Sequence, residues 1–181
     1  GLSFRNGSPE PLTDGQLSAT NASAVMSDKT TGKLLFYTDG STIWNANHAI
    51  VKNGTDLMGG KGGSQSALIV PNPANCMEYY IFTVPDLNPN HTPITNNMYY
   101  SLISVENPDC EVIFKNKVLI TGVCDKLSGT LDNTETGFWV VSHHRTDRIF
   151  YSYHVTTQGV NETPVISTVG EPAFFITGCL K

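Results

Sequence analysis

The sequence predicts an all-β fold, and more specifically a partial β-propeller, from three observations. Only 15% of the 181 residues are charged, whereas 16 glycines and 10 prolines supply the turns that many short strands need. No window of about twelve residues carries the apolar i, i+3, i+4 stripe of an amphipathic helix. The same order of short strands also occurs three times along the chain, which is typical of radial repeat folds.

Each predicted unit begins with a strand of small residues, continues with an aromatic-rich strand and ends with strands rich in β-branched and aromatic residues. The first strands are predicted at 22–27, 65–70 and 126–131, and the aromatic strands at 33–38, 79–84 and 137–142. Partner strands are predicted at 41–45, 97–104 and 148–155, and fourth strands at 50–51, 117–120 and 164–168. Equivalent positions lie about 45 to 60 residues apart, near the period of four-stranded propeller blades.

These units predict one partial propeller domain over 1–181, with approximate blades at 12–55, 64–120 and 125–170 and the start of a fourth at 171–181. Because a ring closes with about four to eight blades, three and a fraction leave an open arc. We therefore expect apolar faces at the ends of the arc and self-association of the fragment through them. The alternative is a β-sandwich, which uses the same strands without a rotational repeat.

Several segments of the sequence resemble one family. They are PLTDGQL (11–17), GKLLFYTDG (32–40), IWN (43–45), SQSALIVPNP (64–73), YYIFTV (79–84), FWVVSH (138–143) and CLK (179–181). The chain resembles the N-terminal propeller-like region of large secreted Bacteroidota surface proteins, the gliding-motility-associated and type IX secretion cargo group. The resemblance implies a propeller fold and a secreted or cell-surface location associated with the outer membrane. Its motifs are structural segments of blades and imply no catalytic residue.

Charge and motif content exclude several function classes. The formal net charge of −5, without a local Lys/Arg cluster, predicts that nucleic acid is not a partner. No apolar run approaches about 18 residues, so we expect no membrane span, and no basic-then-apolar leader opens the sequence. The four cysteines lack metal-ligand spacing, which leaves disulfides, as in a secreted protein, or plain thiols. No cofactor or metal motif is present, and we expect neither to bind.

The candidate binding residues lie in the loops that follow the three aromatic strands, because propeller loops alternate between two faces and these loops share one rim. The candidate ligand-binding residues are Asp39, Asp86, His143, His144 and Arg145, which would share the rim with Gln65 and Lys126. The alternative is ordinary turn chemistry. Asp-Gly is a strong hairpin signal at 39–40, and the two histidines lack a third ligand and fit solvated loop positions.

The function predicted from these residues is a non-catalytic extracellular binding or adhesion scaffold within a larger surface-exposed protein, with a glycan or a surface protein as partner. The alternative is a fragment of a glycan-active hydrolase or lyase, although no catalytic motif and no fixed pair of carboxylates is found. The glycine-rich segment 58–63 follows no strand-to-helix pattern, so it predicts a flexible loop between blades and not a phosphate cradle.

Overall fold

The computed structural model describes residues 1–4, 6–86 and 96–171, and within them the protein is all-β. Fourteen strands form four antiparallel sheets, and none of these residues is helical. Within the same ranges there is accordingly no helix long and apolar enough to cross a membrane. The all-β prediction is confirmed. The predicted start of a fourth blade falls almost wholly outside the described residues.

The strands divide by sheet in chain order. A small hairpin pairs β1 (Leu2–Ser3) with β2 (Glu10–Pro11), and the first sheet contains β3 (Ala24–Ser27), β4 (Leu34–Thr38) and β5 (Ile43–Asn45). The second sheet contains β6 (Ala67–Pro71), β7 (Glu78–Thr83), β8 (Asn97–Ser104) and β9 (Glu111–Thr121). The third sheet contains β10 (Val123–Leu131), β11 (Phe138–His144), β12 (Ile149–Thr156), β13 (Gly159–Val160) and β14 (Val165–Thr168).

The three predicted aromatic strands are β4, β7 and β11, and each pairs with the predicted first strand of its unit on one side. The largest difference from prediction lies at the junction of the second and third sheets. There β9 extends over 11 residues, and only Gly122 separates it from β10. Gly122 has a φ of +82°, a conformation that side chains disfavour, so one glycine suffices to turn the chain into the next sheet.

The sheets pack face to face, and the period-2 alternation of β7 divides its side chains between two hydrophobic cores. Ile81 packs with Phe36 and Ile43 in a core between the first and second sheets. Phe82, the next residue, packs with Val140 in a second core between the second and third sheets. The middle sheet is therefore buried on both faces.

Successive sheets meet along their first strands. Strand β6 contacts β3 on one side and β10 on the other. Just before β6, Gln65 forms a parallel bridge with Lys126, and its N–H donates to the Asp125 carbonyl at 3.1 Å. These strands bring the connecting loops of all three sheets to a common edge.

The described cysteines are free thiols. Cys110 and Cys124 are buried, and burial is the main cause that raises the pKa of each thiol, whereas Cys76 is exposed. Cys179 lies outside the described residues. Of the two possibilities left open by the sequence, plain thiols therefore apply to these three positions.

Candidate functional site

The candidate site, called the rim below, consists of the loops after β4 and β11, the described residues 84–86 after β7, the segment 58–66, and the first residues of β10. Asp39 is fully buried at the end of β4. Its Oδ1 accepts the backbone N–H groups of Ser41 at 2.9 Å and Thr42 at 2.8 Å, which builds the Asx-type turn that the Asp-Gly pair predicts.

The second oxygen of Asp39 faces Lys61. The Lys61 Nζ lies 3.0 Å from Asp39 Oδ2, which is an ion-pair distance, although the angle falls outside hydrogen-bond geometry. The Lys61 side chain is 45% exposed, whereas that of Asp39 is 0% exposed. A buried carboxylate is costly without a counter-charge, so the position of Lys61 matters for the stability of this turn.

Steric crowding explains why glycine occupies three of the four positions that flank Lys61. A side chain at Gly59 would overlap the backbone of Gly40, and one at Gly60 or Gly62 would overlap Asp86. Segment 58–63 therefore packs closely between the ends of β4 and β7. The Gly60 N–H also donates to the Val84 carbonyl at 3.0 Å. Close packing against Gly40 and Asp86, and not the flexibility expected from the sequence, accounts for Gly59, Gly60 and Gly62.

A β-bulge at the start of β10 adds a buried ion pair to the rim. The pairing of β10 with β11 shifts between Val123 and Leu127, and the bulged residues between them are buried. Lys126 Nζ lies 2.9 Å from Asp125 Oδ1, and Asp125 Oδ2 accepts the Ser64 N–H at 3.0 Å. Sequence analysis missed Asp125, and the one signal for it was its position beside Lys126 before a predicted first strand.

The histidine pair lies at the end of β11, beside the turn at Gly122. His143 is 4% exposed and packs edge-on against Phe150, with ring centroids 4.3 Å apart. The alternative that it is a solvated loop residue is therefore wrong, because its ring is enclosed by the sheet. His144 is half-buried, and its Nδ1 accepts the Asp147 N–H at 3.1 Å.

Arg145 continues the same turn. Its N–H donates to the Gly122 carbonyl at 2.8 Å, and its side chain is partly exposed. Within the part of the chain that the structure describes, no three His, Cys, Asp and Glu side chains group to hold a metal ion.

The structure brings the predicted residues together in two groups. Asp39 and Asp86 both contact the glycine-rich segment, which also reaches Asp125 through Ser64. His143, His144 and Arg145 form the second group. Strand β10 connects it to the first, because Val123 pairs with His144 and Ser142 Oγ donates to the Lys126 carbonyl at 3.2 Å. Gln65 and Lys126, which the sequence predicts to share the rim, form a parallel bridge with each other.

With this geometry established, comparison of the chain with family models, curated proteins and solved structures finds no match. The fold and site define an all-β protein of stacked antiparallel sheets with a charged edge of loops.

Proposed function

We propose that the chain is a non-catalytic extracellular binding or adhesion scaffold, part of a larger surface-exposed protein, with its sheets arranged as the arc of a β-propeller. Two features support the propeller arrangement. A β-sandwich has one core between two sheets, whereas this chain has one core on each face of its middle sheet. The first strands also lie side by side, as inner strands do around a propeller axis.

The observation that carries the binding proposal is the gathering of polar loop residues at one edge of three rigid sheets. Recognition groups occur disproportionately on loops held by such a scaffold. The rim has a buried layer that includes Asp39 and Asp125. Its solvent-facing side chains are exposed Lys61 and partly exposed Asp86, His144 and Arg145.

The charge pairing of the rim supports a hydroxyl-rich or mixed polar ligand. Asp39 is paired with Lys61 and Asp125 with Lys126, so these four charges compensate one another locally. A glycan or a polar protein surface fits such a rim, because both are bound through many hydrogen bonds and not through one strong charge.

Binding of the intact chain to immobilised polysaccharides and extracellular-matrix proteins tests the proposal. We expect at least one surface polymer to bind, and Arg145→Ala to weaken that binding about tenfold, the scale of one or two lost hydrogen bonds. Lys33→Ala is the matched control, because Lys33 is exposed at the opposite end of β4 from Asp39.

If no surface polymer binds and a glycan substrate is turned over, with loss of turnover in Asp39→Ala or His143→Ala, the hydrolase or lyase alternative replaces the scaffold. Equal weakening by Arg145→Ala and Lys33→Ala would instead move the binding site away from the rim.

A further inference from the structure

A segment before the first sheet connects the outer face of that sheet to the rim. This strap, residues 14–22, is exposed over most of its length, and Leu17 is 44% exposed. It is attached to the rest of the protein by polar contacts at its two ends. A segment with so little buried apolar surface belongs to the least stable parts of a fold, so these contacts decide its position.

The first attachment is a hydrogen-bonded relay on the outer face of the first sheet. His48 Nε2 lies 3.2 Å from Asp14 Oδ2, and His48 Nδ1 lies 3.0 Å from the Tyr37 hydroxyl. The Tyr37 oxygen in turn accepts the Gln16 N–H at 3.0 Å. The Asp14 carboxyl has a lowered pKa because of hydrogen bonding to its own backbone and then to His48.

With a neutral His48 ring, the donors and acceptors of the relay follow from the chemistry of its members. The Asp14 carboxylate only accepts, so His48 carries its proton on Nε2. Nδ1 of the neutral ring then accepts, so the Tyr37 hydroxyl donates to it and uses its oxygen for the Gln16 N–H. Tyr37 is 4% exposed and stacks on Trp44 with ring centroids 5.4 Å apart, which fixes the hydroxyl in place.

The second attachment lies at the rim. The N–H groups of Thr20 and Asn21 both donate to the Lys61 carbonyl, at 3.2 and 3.4 Å, and Asn21 Nδ2 donates to the Gly62 carbonyl at 3.1 Å. The strap thus hydrogen-bonds to the backbone of Lys61, the residue whose ammonium group faces Asp39. Lys61 is the charged partner of that carboxylate within the described part of the chain.

We propose that the strap is a latch that restrains the rim, and that Tyr37 and His48, on the outer face of the first sheet, are positioning residues for Lys61. The inference rests on the proposed function in that it takes the rim as the ligand site. Loss of the relay's hydrogen bonds would make residues 14–22 more mobile. The glycine-rich segment 58–63, which contacts both Asp39 and Asp86, would then become more mobile as well.

Amide hydrogen exchange of the full chain, resolved by NMR, tests the latch without any ligand. Tyr37→Phe removes the hydroxyl but keeps the ring stack, and Asp14→Ala removes the strap's own contact with His48 without altering the sheet. In both variants we expect exchange of the Thr20 and Asn21 amides to accelerate about tenfold, with a smaller acceleration at Gly60. The Gln16 amide loses its acceptor in Tyr37→Phe and should accelerate most.

Tyr79→Phe is the matched control, because Tyr79 packs against Phe36 on the opposite face of the first sheet. It should leave the exchange rates of the strap amides unchanged.

The proposal is overturned if exchange of the Gln16 amide accelerates while that of Thr20, Asn21 and Gly60 does not, since the two attachments would then be independent. Equal acceleration of amides in all three sheets also overturns it, because the hydroxyl would then act on global stability. A failed binding assay leaves these exchange results unaffected, so the two proposals fail separately.

Discussion

The Tyr153 hydroxyl offers a sharp test of the second core. Tyr153 is 0% exposed on β12, inside the core between the second and third sheets. Its oxygen has no hydrogen-bond partner among the residues that the structure describes. A buried unsatisfied polar group costs about 1–3 kcal/mol, so Tyr153→Phe, which keeps the ring, should stabilise the protein by about 1 kcal/mol. For a chain of this size that corresponds to an increase in Tm of about 2–4 °C.

The same substitution should have a larger effect in alkali. Burial, more than the neighbouring Tyr151, raises the pKa of Tyr153 far above its ordinary value. Because the unfolded chain releases this phenol proton at a lower pH than the folded protein does, the free energy of unfolding falls as pH rises from the unfolded pKa toward the folded one. Wild-type stability should therefore fall above about pH 10, the ordinary value for tyrosine, and the advantage of Tyr153→Phe should grow there.

Urea unfolding of the reduced protein at neutral pH and near pH 10.5 measures both effects. Tyr100→Phe is the matched control, because the Tyr100 hydroxyl donates to Glu162 Oε1 at 2.7 Å and its removal should destabilise by about 1 kcal/mol. If Tyr153→Phe is instead destabilising by a similar amount, the hydroxyl has a partner and the reasoning about the second core is refuted.

Three further predictions concern other parts of the chain. Gly60→Ala should destabilise the protein by about 1–3 kcal/mol in urea unfolding, since the added methyl group overlaps the Asp86 backbone nitrogen; an unchanged midpoint would mean that the segment moves aside at no cost. Hydrogen bonds from Thr134 and then His154 hold the Asp132 pKa well below its ordinary value, so wild-type stability should decline as pH falls below about 4. Asp132→Asn should flatten that decline in an acid titration followed by circular dichroism, and an identical acid profile would contradict the role of Asp132. Under native conditions iodoacetamide should label exposed Cys76 well before buried Cys124 in peptide mapping, and equal labelling would contradict the buried position of Cys124.

The strands were predictable because their signal is local. Segments 79–84 and 137–142 combine β-branched and aromatic residues between turn residues, and β7 and β11 form there. The hairpin of β1 and β2 was not predicted, because each of its strands has only two residues and neither shows an alternating pattern.

The candidate site was predicted in outline and missed in its chemistry. Loop positions after the aromatic strands follow from strand order alone, which is why the sequence could assign Asp39 and Asp86 to the ends of β4 and β7. The bulge that buries Asp125 beside Lys126 depends on register against β11, and register is set by tertiary packing. The pairing of Asp39 with Lys61 also needs the chain path between sheets, which no local pattern encodes.

In this fold the first strands of successive sheets lie side by side, and their loops gather at one rim. The contact that tests this arrangement most directly is the bond from the Gln65 N–H to the Asp125 carbonyl. We expect a slowly exchanging Gln65 amide with a through-hydrogen-bond coupling to the Asp125 carbonyl carbon in NMR. A rapidly exchanging Gln65 amide, together with nuclear Overhauser contacts that join β4 directly to β11 across one core, would contradict it.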